Sequence, residues 1–124
     1  VASFIHACVH AGVPFKFTAG LHHALGGAFP LTYAPDAERA PMFGFLNVFL
    51  ASALCADAGE VPEMRRLLTE SSPDAIRFSE QAVSWRERAF DRALLARVRE
   101  NVAVAFGSCS FTEPVAEVRA LGAW

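Results

Sequence analysis

The stretch PFKFTAGLHH, from Pro14 to His23, sets the only lysine of the chain between two phenylalanines and follows it with a glycine and two histidines. Ten of the 11 basic residues are arginine. Arginine suits a solvated surface about as well as lysine does, so Lys16 is expected where a guanidinium would not serve. In an extended segment Phe15 and Phe17 share one face and Lys16 and Thr18 the other, so the amine can enter a cleft while the aromatics pack beneath helices. An amine withdrawn from water loses its charge and becomes a nucleophile toward carbonyl carbon; kept charged, it anchors a phosphate or carboxylate. The structural alternative is a lysine paired with a carboxylate inside the fold or reaching out to its rim.

His22 and His23 follow Gly20, at the top edge of such a strand, where an imidazole serves as general acid or base near neutral pH. Lys16, Thr18, His22 and His23 form the predicted catalytic set, with Thr18 orienting the amine. A second group, Ser108, Cys109, Ser110 and Glu113, makes a compact polar turn after Gly107 and is read with Gly20 as substrate-binding. No activating base stands beside Cys109 in the sequence, and the reactivity of a thiol depends on such a neighbour. Asn47, a polar residue in an apolar run, must be hydrogen-bonded if buried, either to a ligand or to the fold. Adjacent histidines rarely share a metal, and His6 and His10, four apart on one helical face, are expected to look into water, so no metal site is predicted. Gly26 and Gly27 match neither a dinucleotide fingerprint nor a phosphate loop, and no cofactor is expected.

The elements that must position these residues follow from periodicity. Phe4, Ile5, Cys8 and Ala11 make a helical stripe ended by Gly12. It has no N-cap, which reads as a helix entered partway and the chain as a fragment. After Pro14, FKFTA reads as a buried strand, giving the helix-then-strand unit of a parallel sheet or barrel, where ligands gather at the C-terminal ends of strands. Residues 24–41, with two glycines and three prolines, read as a long loop and a lid over that strand end. Residues 44–58 read as a buried helix, residues 61–70 as an amphipathic helix opened by Pro62, and Ser72-Pro73-Asp74 as the start of a short turn or helix. IRF and AVSW read as the arms of a small hairpin ending at Trp85. Residues 91–106 keep helical spacing through Val98, Val102 and Ala105, and Thr112-Glu113-Pro114 opens a last helix. The fold class is therefore α/β and mostly helical, a single domain or domain fragment over residues 1–124, with a small β-hairpin.

Composition narrows the partners. At 124 residues, 53% hydrophobic content is high for one small domain and suggests surfaces that dock on a missing N-terminal region or in a homo-oligomer. A net charge of −2 without a basic cluster argues against nucleic acid. The longest apolar run, GFLNVFLASALCA, is too short to span a bilayer, so no membrane association is expected. Three scattered cysteines fit reduced thiols in the cytoplasm.

Three stretches, PFKFTAGLHHAL, PMFGFLNVFLAS and FGSCSFTEPVAEVRALG, together resemble the C-terminal part of a family of uncharacterised bacterial proteins. The resemblance covers nearly the whole chain. It implies longer parent chains whose upstream part supplies the remaining units of a β/α, barrel-like architecture, and it implies no particular reaction. In that family a histidine precedes the glycine of the second stretch; here Phe43 stands in its place, which weakens any metal reading. Locally, Lys16-Phe17-Thr18-Ala19-Gly20 resembles the strand-end lysine motif of the class I aldolases, whose lysine forms a Schiff base with a carbonyl substrate; this implies a lyase or aldolase-like reaction. Two readings follow. One is an enzyme binding a small carbonyl- or phosphate-bearing metabolite at the strand end, with Lys16 as nucleophile or anion anchor; the other is a non-catalytic helical interaction module.

Overall fold

Glycine and proline punctuate the first unit. Helix α1 (Ala2–Ala11) turns Ala2 and Ile5 inward and stops at Gly12, whose φ of 64° lets its own N–H close back on the Cys8 and Val9 carbonyls. Pro14 then starts an extended segment, and strand β1 (Phe15–Phe17) follows. The structure, a computed structural model, describes residues 1–18 and 20–123; Ala19, the last residue of the predicted strand FKFTA, lies outside the described residues.

The partner of β1 comes from the far end of the chain. Helix α4 (Arg92–Asn101) leads into strand β7 (Ala103–Phe106), which lies parallel to β1, with Phe15 opposite Ala103 and Phe17 opposite Phe106 and a bulge between. The helical spacing predicted over residues 91–106 therefore holds only to Asn101. Beyond it, pairing with β1 overrides the period, and Val102 and Val104, β-branched residues, fit an extended chain at least as well as a helix.

The predicted lid is ordered differently from a loop. Strands β2 (Gly27–Pro30) and β3 (Arg39–Met42) form an antiparallel hairpin, and Pro30 and Pro41 are tolerated because a two-stranded ribbon is all edge. The small hairpin is present as strands β4 (Ile76–Phe78) and β5 (Ala82–Trp85), extended by a third strand, β6 (Arg88–Asp91), into an antiparallel meander. Pro73–Ala75 makes a single 3-10 turn before it. The fold is α/β, and its three sheets are small and separate rather than joined in a closed barrel among the described residues.

Helix α2 (Phe45–Ala56) is the centre of the core. Val48, Leu50, Ala51, Ser52, Ala53, Leu54 and Cys55 are all buried, because the helix is apolar all round and packs against α1, α4 and helix α3 (Val61–Leu68). Each fully buried valine or leucine contributes roughly 1.5–3 kcal/mol. Helix α5 (Thr112–Ala120) buries Pro114 and Val118 and meets the histidine segment through Glu117.

The start of α2 fixes the histidine segment. Backbone N–H groups in the first turn of a helix have no partner within the helix. Here the Phe45 N–H donates to the His23 carbonyl at 2.9 Å and the Leu46 N–H to the Ala24 carbonyl at 3.1 Å. Gly44 makes this approach feasible, since a Cβ there would overlap the Ala24 carbonyl oxygen and the Leu25 Cα.

Candidate functional site

The C-terminal ends of β1 and β7 are held together by the Gly107 N–H, which donates to the Phe17 carbonyl at 2.7 Å. A Cβ on Gly107 would press on the Thr18 carbonyl oxygen at 3.0 Å, so this close crossing favours glycine. Beyond the crossing each strand gives way to a polar segment. One carries His22 and His23; the other is the Ser108-Cys109-Ser110 turn that leads into α5.

The two segments meet. His22 Nδ1 lies 3.1 Å from Ser108 Oγ and 3.3 Å from Cys109 Sγ. With Nδ1 unprotonated, the ring accepts from the hydroxyl or the thiol, which is the contact an imidazole needs in order to take a proton from either. Cys109 is exposed, whereas Cys8 is part-buried and Cys55 is buried. Burial pushes the Cys55 thiol up, which keeps it inert.

His23 is oriented by a carboxylate. Its Nδ1 donates to Glu117 Oε1 at 2.7 Å, while Glu117 Oε2 accepts the Ala24 N–H at 2.6 Å. The ring stacks on Phe29 with centroids 3.4 Å apart and planes 8° from parallel. A carboxylate on Nδ1 fixes the proton there and leaves Nε2 as the basic atom of the neutral ring. Glu117 has no signal in the sequence beyond standing one helical turn after Glu113, and its partner is 94 residues away.

The Ser110 hydroxyl donates to Glu113 Oε2, and Ser110 Oγ accepts the Thr112 N–H at 3.2 Å at the head of α5. The Ser110 hydroxyl, followed by the backbone N–H of Glu113 itself, holds the Glu113 carboxyl below the usual carboxylate range; His23 and His22 add to the same direction. Ser108, Cys109, Ser110 and Glu113 therefore stand with His22 and His23 as one polar cluster.

The remaining predicted residues divide. Gly20 has a φ of 78°, a left-handed turn that carries the chain away from β1 toward the histidines. Thr18 is exposed at the strand end. Lys16 is exposed as well and makes no hydrogen bond or ion pair among the described residues, contrary to the expectation of an amine held out of water. The reason is topological: Phe15 packs on Phe4 of α1 and Phe17 on Phe49 of α2, while Lys16, on the alternate face of β1, is left exposed. Asn47 is 1% exposed, and its amide is committed to the fold rather than to a ligand. Its Oδ1 accepts the Gly26 and Gly44 N–H groups at 2.8 and 3.2 Å, and its Nδ2 donates to the Leu67 and Glu70 carbonyls, each at 2.8 Å.

His6 and His10 stand on the outer side of α1 with their Nε2 atoms 2.9 Å apart. No group of three or more histidine, cysteine, aspartate or glutamate side chains suited to a metal ion occurs among the described residues. No helix among them is long and apolar enough to cross a membrane. In comparisons with known proteins, no family model, no curated protein and no solved structure matches the chain.

Proposed function

We propose that the chain is part of an enzyme that binds a small carbonyl- or phosphate-bearing metabolite over the C-terminal ends of β1 and β7. One observation carries the reading: His22 from one strand end and Ser108 with Cys109 from the other converge across 86 residues of sequence. In open α/β sheets, ligands collect outside the carboxyl ends of parallel strands. His22 and His23 move protons in this reading, the latter with its tautomer set by Glu117. Ser108 and Ser110 offer hydroxyls to the polar substituents of the ligand. Lys16 enters as an anchor for a phosphate or carboxylate rather than as a Schiff-base nucleophile, because its side chain is exposed at the strand and free to reach an anionic group.

The reading extends to architecture. Parallel strands are almost always covered on both faces, whereas Lys16 and Val104 lie exposed on the β1–β7 pair. We take the pair as two strands of a larger β/α, barrel-like sheet, with this chain as its C-terminal part. Three unpaired thiols favour a reducing compartment, and the proposal places the enzyme in the cytoplasm.

The test is a titration of histidine and lysine side-chain NMR resonances with pyruvate, glyceraldehyde and glyceraldehyde 3-phosphate. His22 and Lys16 resonances should shift together for the anionic compounds, and Lys16→Ala should weaken those by about tenfold, the worth of one charge-assisted contact. Unmoved His22 and Lys16 resonances at millimolar concentrations of all three compounds would remove the reading.

A second reading, a non-catalytic docking module, is favoured by one feature. A groove of about 530 Å³ lined by Phe45, Phe49, Leu95, Val98, Val104 and Phe106 runs beside β7. Sedimentation of the purified chain separates the two: a module built to dock should self-associate, and a monomer at tens of micromolar would count against it.

A further inference from the structure

We propose that Cys109 is the nucleophile of this site, acting in acyl transfer from a small ester or thioester, with His22 as its general base. The inference rests on the strand-end reading above and narrows its carbonyl substrate to an activated acyl group. Three observations carry it. The Cys109 Sγ and the His22 Nδ1 are 3.3 Å apart, within reach for direct proton transfer between a thiol and an imidazole. Cys109 is the exposed one of the three thiols, so a substrate can reach it. The second imidazole, His23, stands next in the chain with Glu117 on its Nδ1, an arrangement that leaves Nε2 as a second basic nitrogen of the cluster. Ser108 Oγ shares the same nitrogen of His22 at 3.1 Å, and a hydroxyl is the weaker nucleophile of the two, so Ser108 steadies the ring while the sulfur attacks.

The chemistry closes with water as the only co-reactant. As Sγ bonds to the acyl carbon, the thiol proton passes to His22 Nδ1 and the carbonyl π pair moves onto oxygen. When that pair returns, the bond to the alcohol or thiol leaving group breaks, and the departing group takes its proton from the His22 imidazolium, which is left neutral. The acyl-Cys109 thioester is then attacked by water, which gives its proton to His22. Collapse releases a carboxylic acid and restores the thiol and the neutral imidazole. Nothing is oxidised or reduced.

The experiment uses the whole chain with two reagents, iodoacetamide and p-nitrophenyl acetate, read by peptide mass spectrometry after acid quench. At neutral pH iodoacetamide should label Cys109 at least about tenfold faster than Cys8, and p-nitrophenyl acetate should leave an acetyl group on Cys109. His22→Gln should slow acetylation by about a hundredfold, within the range that one general base supplies. A wild-type Cys109 that labels no faster than Cys8 overturns the proposal without recourse to any variant. So does a His22→Gln protein that melts like wild type and acetylates at the wild-type rate. If the wild-type protein shows the ligand-induced His22 and Lys16 shifts described above and never acetylates Cys109, the nucleophile alone is overturned and the strand-end site stands.

Discussion

Replacing Asn47 by alanine separates a structural amide from a ligand-binding one. The side chain is 1% exposed and makes four bonds to backbone groups of Gly26, Gly44, Leu67 and Glu70. Of these groups, the Leu67 carbonyl keeps a partner in the variant, the Glu70 N–H at 3.1 Å. The Gly26 N–H, the Gly44 N–H and the Glu70 carbonyl have no second partner among the described residues. Three orphaned buried groups at about 1–3 kcal/mol each set a range of roughly 3–9 kcal/mol. Water entering the space left by the amide recovers part of this, so about 3–5 kcal/mol is expected. A domain of this size has about 5–15 kcal/mol in total, so the loss consumes a large share of it. Urea denaturation followed by circular dichroism measures it directly, and the melting temperature should fall by roughly 10–20 °C. Asn47→Asp keeps the acceptor but turns a second oxygen toward two carbonyls, and should be at least as damaging. An Asn47→Ala protein within about 1 kcal/mol of wild type would refute this account of the core. The same variant with intact stability and lost ligand response would return Asn47 to the site.

Two further outcomes follow from neighbouring contacts. Glu70 is buried, which alone would raise its carboxyl, but the Trp85 indole, the Ser72 N–H and Arg86 outweigh this and hold it below the usual range. With the folded value depressed, the unfolded chain takes up its proton first as pH falls; the stabilisation is complete above about pH 5 and is lost as pH drops through the folded value. Glu70→Gln should therefore cost about 1–3 kcal/mol at pH 7 and flatten the acid limb of stability, measured by denaturation midpoints between pH 7 and pH 3. Gly44→Ala forces a methyl group into the Ala24 carbonyl and should cost about 2–3 kcal/mol while slowing iodoacetamide labelling of Cys109, since the histidine segment hangs from that contact. Unchanged labelling in a destabilised Gly44→Ala protein would show that α2 does not position His22.

What the sequence disclosed was local. Gly12, Pro14 and Gly20 bracket β1 as expected, and the apolar ring of α2 and the amphipathic α3 follow from spacing. Each of these depends on neighbours in the chain. The misread elements depend on distant partners. Val102 through Phe106 satisfy a helical period as well as a strand, and only β1, paired from the other end, decides between them. Residues 24–41 carry turn residues and prolines, so a ribbon held by its own cross-strand bonds left no alternating pattern to read. Within the site, His22 and the Ser108-Cys109-Ser110 turn are each visible by residue type, but their meeting is not, because no spacing encodes a contact across 86 residues. Glu117 on an ordinary helix face was invisible for the same reason. The burial of Lys16 was inferred from an alternation that is real; what it could not supply was a layer on the far side of the sheet.

Because Phe15 pairs with Ala103, the imidazole and the thiol come together only after nearly the whole chain has been brought back on itself. Closure over so long a loop is entropically costly and raises contact order, so this pairing should be among the slow events of folding. A nascent chain leaving the ribosome would carry His22 long before Cys109, and the thiol meets the imidazole only once β1 and β7 have paired. The cluster at the strand ends is thus assembled only in the folded chain, and the onset of the proposed Cys109 labelling would time the final docking step during refolding.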